Sequence, residues 1–232
     1  MFTEILEGMV AFEGCDGSGT STQIALLRGR LALEPGAPGL FATAEPTSGP
    51  IGRLIRGALR GEPELHPAAL AGLFAADRCQ HLLAPGGARE RCLRGELVAC
   101  DRCVLSSLAY QGLECGDALP RRLNEGLPAP GLILFFDLDP EIAQERLRSR
   151  PSLDIFERLE FQRRVRRRYL SLLGEFGEAG VGVRVIDASR PPEKVALDVW
   201  SSVSQMPIMR GGGGPSRGLG RGPGAAPGEA AG

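Results

Sequence analysis

The chain alternates short apolar runs with longer stretches in which apolar positions recur every three or four residues. Met9 to Glu13 is apolar and gives way to glycines, and the amphipathic stretch Thr20 to Leu33 follows, which reads as strand, glycine loop, helix. Further along, Leu40 to Ala44 reads as a strand, Ile51 to Arg60 and Pro67 to Leu83 as helices, and Ala88 to Arg94 leads into a strand at Leu97 to Cys100. Helices near Ser106 to Gln111 and over Leu119 to Gly126 precede the strand Leu132 to Asp137. Helices Pro140 to Arg150 and Glu157 to Phe176, strand Val181 to Ile186 and helix Pro192 to Val203 complete the pattern. Pro67, Pro140 and Pro192 stand at first-turn positions, where the missing N–H costs nothing. Five apolar strands separated by helices predict an α/β fold whose parallel sheet is covered on both faces.

Composition changes this picture only at the end of the chain. The 232 residues include 33 glycines and 18 prolines, and 14 of these fall in residues 205–232. Past Met206 too few apolar groups are present to offset ordering entropy, so 1–204 is expected to be one domain and 205–232 a flexible tail. With 43% hydrophobic residues and a net charge of -1, the body can bury a single core, which excludes a wholly disordered chain. The longest apolar run, Leu132 to Phe136, is far short of the ~20 residues a membrane helix needs, so no membrane association is expected. Met1 to Glu7 carries Glu4 and Glu7 rather than a basic-then-apolar signal, and the six cysteines do not form a dense framework, so the cytoplasm is the expected compartment. The Gly/Arg run of the tail has three arginines, Arg210, Arg217 and Arg221, without aromatics, so no nucleic-acid partner is expected.

Charge matters more through its type than its sum. Of 27 basic residues 26 are arginine, and Lys194 is the single lysine. Arginine presents a planar fork of donors, whereas lysine is a compact, movable point charge, so any chemistry that wants a lysine has one candidate, near the end of the fold.

Gly14-Cys15-Asp16-Gly17-Ser18-Gly19-Thr20-Ser21 stands between the first strand and the first helix. It fits the P-loop spacing at both terminal glycines and at the final hydroxyl, but Thr20 occupies the lysine position. The glycines let backbone N–H groups curve around phosphate oxygens, and the helix N-terminus adds partial positive charge. Ser21 can ligate a magnesium ion that bridges the β- and γ-phosphates. Taken alone, such a loop serves nucleotide sites and purely structural turns alike, and the rest of the chain decides.

Phe12 to Gln23 resembles the start of the thymidylate kinases, the dTMP kinases among the nucleoside monophosphate kinases. Four further stretches are similar to the same family in the same order: Glu45-Pro46-Thr47-Ser48-Gly49 with Ile51-Gly52 to Arg56, Leu73-Phe74-Ala75-Ala76-Asp77-Arg78, Asp101-Arg102 with Ser106-Ser107-Leu108-Ala109-Tyr110-Gln111-Gly112, and Phe136-Asp137-Leu138-Asp139-Pro140-Glu141. The resemblance covers about residues 8–204. It implies a P-loop NTPase-type three-layer fold with a five-stranded parallel sheet and a small arginine-rich lid at about 146–157. It also implies MgATP as donor, dTMP as acceptor and a homodimer.

Residue by residue, the resemblance implies that the loop from Gly14 through Cys15, Asp16, Gly17, Ser18, Gly19, Thr20 and Ser21 to Thr22 holds ATP, while Asp16 also accepts from the sugar 3′-hydroxyl. Phe74 stacks on the thymine, Arg78 contacts the base or acceptor phosphate, and Tyr110 lies under the deoxyribose with Ser107 and Gln111 near the base. Asp101, at a strand end, can hold magnesium or its waters together with Ser21. Arg102 beside it can clamp a monophosphate bidentately. The segment Glu145 to Tyr169 holds nine arginines, of which Arg146 and Arg150 are implied to swing over the phosphates while Arg163 to Arg168 read mostly as a surface face. Family members without an arginine inside the P-loop, as Gly17 indicates here, tend to supply catalytic arginines from the lid.

Three departures stand out. Besides Thr20, Cys103 replaces the aromatic expected after Asp-Arg, and Ala44 stands where many relatives place an arginine, which leaves the acceptor phosphate to Arg102, Arg78 and Arg53 or Arg56. Cys100-x-x-Cys103 suggests a metal, yet a zinc site wants a second ligand pair and only Cys115, His81 and His66 are on offer, so these thiols are expected to be buried small side chains. The leading expectation is phosphoryl transfer from ATP to dTMP. Its alternatives are a nucleotide-binding regulator that has lost the chemistry and a kinase of another nucleotide such as dUMP.

Overall fold

A computed structural model describes residues 2–147 and 159–210. The elements run β1 (Ile5–Gly14), α1 (Thr20–Leu31), β2 (Leu40–Ala44), α2 (Pro50–Leu59), α3 (Pro67–Leu83), α4 (Ala88–Leu93), β3 (Leu97–Asp101), α5 (Val104–Cys115), α6 (Ala118–Leu123), β4 (Ala129–Asp137), α7 (Pro140–Leu147), α8 (Leu159–Glu178), β5 (Gly182–Asp187), α9 (Pro192–Val203) and α10 (Pro207–Arg210). The five strands form one sheet in the order β2-β3-β1-β4-β5, and every pair is parallel. This is the expected α/β architecture.

The sheet sorts its side chains by the two-residue period of a strand. Met9 and Ala11 of β1, with Ile133 and Phe135 of β4, face a core built with α5 and α8. Val10 and Phe12, with Leu134 and Phe136, face the opposite core against α1 and α9. Burial on both faces is why the central strands read as continuous apolar runs. Burying each such large side chain contributes about 1.5–3 kcal/mol. A smaller cluster, centred on Ile55, Leu59 and Leu70, joins α2 to α3.

Several boundaries differ from the sequence pattern. The helix expected near Ser106 starts at Val104 and continues to Cys115. The helix expected over Leu119 to Gly126 is the shorter Ala118–Leu123. The pattern also predicts a tail from residue 205, but Met206 is buried and Ile208 and Met209 pack against the core beside β1, so the folded body continues through α10. Residues 148–158, which include Arg150 and most of the expected lid, and the tail from 211 onward lie outside the described residues. Among the described residues no helix is long and apolar enough to cross a membrane.

Parallel strands end together, and the loops that leave their C-terminal ends meet in one crevice. Here these are the loop after β1, the Glu45–Gly49 loop after β2 and the Asp101–Cys103 junction after β3.

Candidate active site

A cavity of about 320 Å³ opens at these strand ends, within the range of small-ligand pockets. One wall is the glycine loop: Cys15, Asp16 and Gly17, then Gly19 to Thr22. Gly14 and Ser18 belong to the same turn without lining the cavity. Gly17 has φ 84°, and a Cβ there would stand 2.8 Å from the Ala143 carbonyl of α7. No side chain fits that position without displacing α7, which accounts for the absence of a loop arginine. Gly19, the N-cap of α1, offers no side-chain cap, and the first turn of α1 holds no acidic residue. The amides at this helix start are therefore open to an anion. Ser18 Oγ is buried without a protein partner in the same turn.

Ser21 Oγ donates to Asp101 Oδ2 at 2.5 Å, across the gap between α1 and the end of β3. A hydroxyl and a carboxylate held this close offer two hard oxygen donors, the ligand type magnesium takes, so the residues present fit that ion. Thr20 lines the cavity but brings no charge. The only lysine, Lys194, sits in α9 and does not line it. Cys15 is buried, and burial pushes its thiol up to about 12, which keeps it neutral and inert.

The opposite wall carries the cations. Arg102, at the β3–α5 junction, has φ 67°, an uncommon conformation for a residue with a side chain. Its backbone N–H donates to the Phe12 carbonyl at 2.9 Å, which fixes the turn against β1. The guanidinium pairs with Asp16, donates to Tyr169 Oη at 3.3 Å and Ser106 Oγ at 3.5 Å, and lies 5.3 Å above the Tyr110 ring. Arg102 and Asp16, expected as the acceptor clamp and the sugar-binding carboxylate, are thus brought together and hold each other at the cavity wall.

Arg78 of α3 is 1% exposed. Its Nε donates to Glu45 Oε2 at 2.8 Å, Nη1 to Asn124 Oδ1 at 2.5 Å and Nη2 to Ser107 Oγ at 3.0 Å. Glu45 Oε1 meets His81 Nδ1 at 2.9 Å, and His81 Nε2 meets Thr43 Oγ1 at 3.0 Å. Burial works against the Glu45 carboxylate, but the Arg78 charge and the His81 hydrogen bond outweigh it and hold Glu45 below the usual carboxylate range. Glu45, His81 and Cys100 bring donor atoms within 4.8 Å of one another, a spacing that a metal ion could use. Both Glu45 oxygens are already taken, however, and Arg78 would oppose a second cation, so the donor chemistry favours a hydrogen-bonded network. Burial pushes the Cys100 and Cys103 thiols well up, as suits small buried side chains.

Phe74, Tyr110 and Gln111 complete the wall. Phe74, expected to stack on the base, also packs on the cluster between α2 and α3. Gln111 is buried, and its Oε1 has no protein partner. Arg53 and Arg56 do not line the cavity. Arg53 donates to the Ser48 carbonyl at 2.9 Å, and Arg56 donates to the Pro46 and Thr47 carbonyls. With Asp77, which accepts from Thr47 N and Oγ1 at 2.6 Å each, they shape the Glu45–Gly49 loop. Arg146 lies apart from the cavity lining, and its guanidinium donates to the Ala188 carbonyl at 3.1 Å. Arg166, one of the expected surface arginines, instead grips Asp137 at the end of β4 with two bonds of 2.6 and 3.0 Å. Glu13 and Glu45 stood in the sequence only as parts of longer motifs, and His81 only as a metal ligand without partners, because a single charged residue gives no periodic signal.

A family model for thymidylate kinase matches residues 12–199 of this chain. The chain belongs to the thymidylate kinase family. It is 44% identical over 199 residues to a protein of Pyrobaculum aerophilum named "probable thymidylate kinase", a match that covers 85% of this chain and 96% of the relative. It is 41% identical over 210 residues to the thymidylate kinase of Pelotomaculum thermopropionicum, covering 85% of this chain and 93% of that one. With the thymidylate kinase of Deinococcus radiodurans it shares 35% over 205 residues, covering 84% and 96%. As a thymidylate kinase family member the chain is an enzyme of the nucleotide kinases.

Proposed function

We propose that the chain transfers the γ-phosphoryl group of ATP to dTMP, giving dTDP and ADP. The observation that carries this reading is one cavity with two chemically distinct halves. One half is a phosphate-binding loop with the Ser21–Asp101 pair, and the other is a nucleoside pocket with Arg102 and Arg78. The loop amides and the start of α1 receive the donor phosphates. Ser21 and Asp101 would hold magnesium, which when bound neutralises charge on the donor phosphate oxygens. Arg102 releases Asp16 to take the acceptor phosphate through its planar fork, and Asp16 becomes free to accept from the sugar 3′-hydroxyl. Phe74 stacks on the base, Ser107 steadies Arg78 beneath it, and the unpartnered Gln111 Oε1 faces a donor of the kind a thymine imide N–H supplies. Tyr110 fills the space in which a 2′-hydroxyl would sit.

An oxygen of the dTMP phosphate attacks the γ-phosphorus in line, and the bond from that phosphorus to the β-bridging oxygen breaks. Positioning and charge neutralisation supply the catalysis, and no protein nucleophile is needed. Arg146 and Arg150 are the arginines this reading draws over the transferring group, in place of the missing lysine. A cytoplasmic homodimer is the setting that the family resemblance and the cysteine usage support. The test is ADP release with MgATP and dTMP, dUMP or dGMP in turn. Turnover is expected to be highest with dTMP, whereas ATP binding without turnover on any acceptor would make the chain a regulator. Arg102→Ala is expected to lower kcat/KM for dTMP at least about tenfold, from the loss of a charged hydrogen-bonding partner.

A further inference from the structure

Glu13 is the last residue of β1 before Gly14, and it is completely buried. Its two oxygens divide their work. Oε1 accepts the backbone N–H groups of Cys103 at 2.8 Å and Ser106 at 3.4 Å, at the start of α5. Oε2 accepts the hydroxyls of Ser106 at 2.5 Å and Tyr169 at 3.3 Å. Those hydroxyls are the groups that receive Arg102 Nη1 on their other side, and they lie 2.7 Å from each other. A hydroxyl has one hydrogen and two lone pairs. While Glu13 is ionised it takes the Ser106 hydrogen at 2.5 Å, and the single Tyr169 hydrogen goes to Ser106 Oγ at 2.7 Å or to Glu13 at 3.3 Å, so neither hydroxyl turns its hydrogen toward the guanidinium and each keeps a lone pair for it.

We propose that Glu13 is the positioning residue of the acceptor clamp, fixing Arg102 through Ser106 and Tyr169. The inference rests on the reading of Arg102 as the residue that grips the acceptor phosphate. A buried carboxylate is costly where an amide or apolar side chain could fill the same space, and only the ionised carboxylate, which can do nothing but accept, turns the hydrogens of the Ser106–Tyr169 pair away from Arg102. A glutamine would turn an N–H toward them, occupy their lone pairs and loosen Arg102. Burial pushes Glu13 up to about 7, against the Ser106 hydrogen bond, the Arg102 charge and the two α5 amides that favour its charged form. The other ionisable groups around it are Arg102, the Cys103 thiol just before α5, the Tyr169 phenol of α8, Arg78 of α3 and the Cys100 thiol of β3. The thiols and the phenol are pushed well up by burial, and both arginines stay charged. Loss of the Glu13 charge below about pH 7 therefore weakens the clamp.

The experiment measures kcat, KM for dTMP and KM for ATP from pH 6 to 8.5 on the full chain, for the wild type and for Glu13→Gln, Tyr169→Phe and Arg102→Ala. Glu13→Gln is expected to raise KM for dTMP about tenfold, to leave KM for ATP within about twofold, and to lose the acid limb that the wild type shows in kcat/KM for dTMP. The second ionisation of the dTMP phosphate, near pH ~6, is common to both proteins and cancels in their ratio. Tyr169→Phe keeps the ring and removes one relay, so it carries the test if Glu13→Gln does not fold. It is expected to raise KM for dTMP in the wild-type background and to change nothing further in Arg102→Ala. Wild-type KM and pH profile in Glu13→Gln or, failing its folding, wild-type KM in Tyr169→Phe, alongside a damaged Arg102→Ala, overturn the role of Glu13 and leave the clamp standing. An unchanged KM in Arg102→Ala overturns the clamp itself, and the positioning role with it.

Discussion

On the acceptor side of the cavity both lining cations are fastened into the protein: Arg78 by Glu45, Asn124 and Ser107, and Arg102 by Asp16, Ser106 and Tyr169. On the donor side no lining residue among the described residues is a cation, Thr20 stands in the lysine position, and Arg146 and Arg166 are engaged with Ala188 and Asp137 outside the cavity. Among the described residues charge for the acceptor is therefore pre-organised, whereas on the donor side the proposed function draws charge from backbone dipoles, a bound magnesium and arginines outside the cavity lining. The two halves of one reaction are served by different physics. Removing a fixed cation should damage stability and acceptor binding, while changes on the donor side should alter turnover and leave the fold alone.

The largest effect expected is on stability. Arg78→Ala strands the buried Glu45 carboxylate with His81 and the weak Cys103 thiol as its remaining side-chain partners, and breaking a buried pair in this way costs about 3–5 kcal/mol. Urea unfolding measures it, and a loss below about 1 kcal/mol, the range of an exposed pair, would show that the acceptor wall is not held by this network. The next effect belongs to the donor side. One aligned transition-state donor is worth about 3–4 kcal/mol, so an uncompensated loop would gain several hundredfold in kcat from Thr20→Lys. If arginines already stand in, the gain stays below about tenfold, and Arg146→Ala costs less in the Thr20→Lys protein than in the wild type. Equal costs in the two backgrounds would mean that Arg146 and the loop position act independently.

Much of this frame was legible in the sequence because it depends on local pattern. The Leu132 to Phe136 run announced a strand buried on both faces, Pro67 and Pro192 marked helix starts at their true positions, and the glycine spacing from Gly14 to Gly19 placed the phosphate loop. What escaped depends on groups far apart in the chain. α5 starts at Val104 because its first amide partner is the Glu13 carboxylate, 90 residues earlier, and no neighbouring cap signalled it. The Glu45–Arg78–His81 network joins the end of β2 to α3, and neither element alone shows why it carries a charge in its buried face. α10 was masked by the glycine-rich composition that follows it, although Met206, Ile208 and Met209 supply the apolar contacts that bring it onto the core.

The smallest effect expected is the one that tests the comparison most directly. Arg166 binds Asp137 through two hydrogen bonds, a geometry usually associated with a strong pair, but the side chains are 31% and 25% exposed. Water and salt screen such a pair, so Arg166→Ala should lower stability by no more than about 1 kcal/mol. Asp137 follows Phe136, which pairs in register with Gly14, and Arg166 and Asp137 both act electrostatically on Cys15, so Arg166 is a fixed arginine close to the glycine loop. If the donor half has no fixed cation, kcat of Arg166→Ala stays within about threefold of the wild type, since that factor corresponds to under 1 kcal/mol of transition-state stabilisation. A kcat loss of about tenfold or more with unchanged KM for dTMP would place a standing cation on the donor side, and the missing lysine would then have a replacement that needs no lid to deliver it.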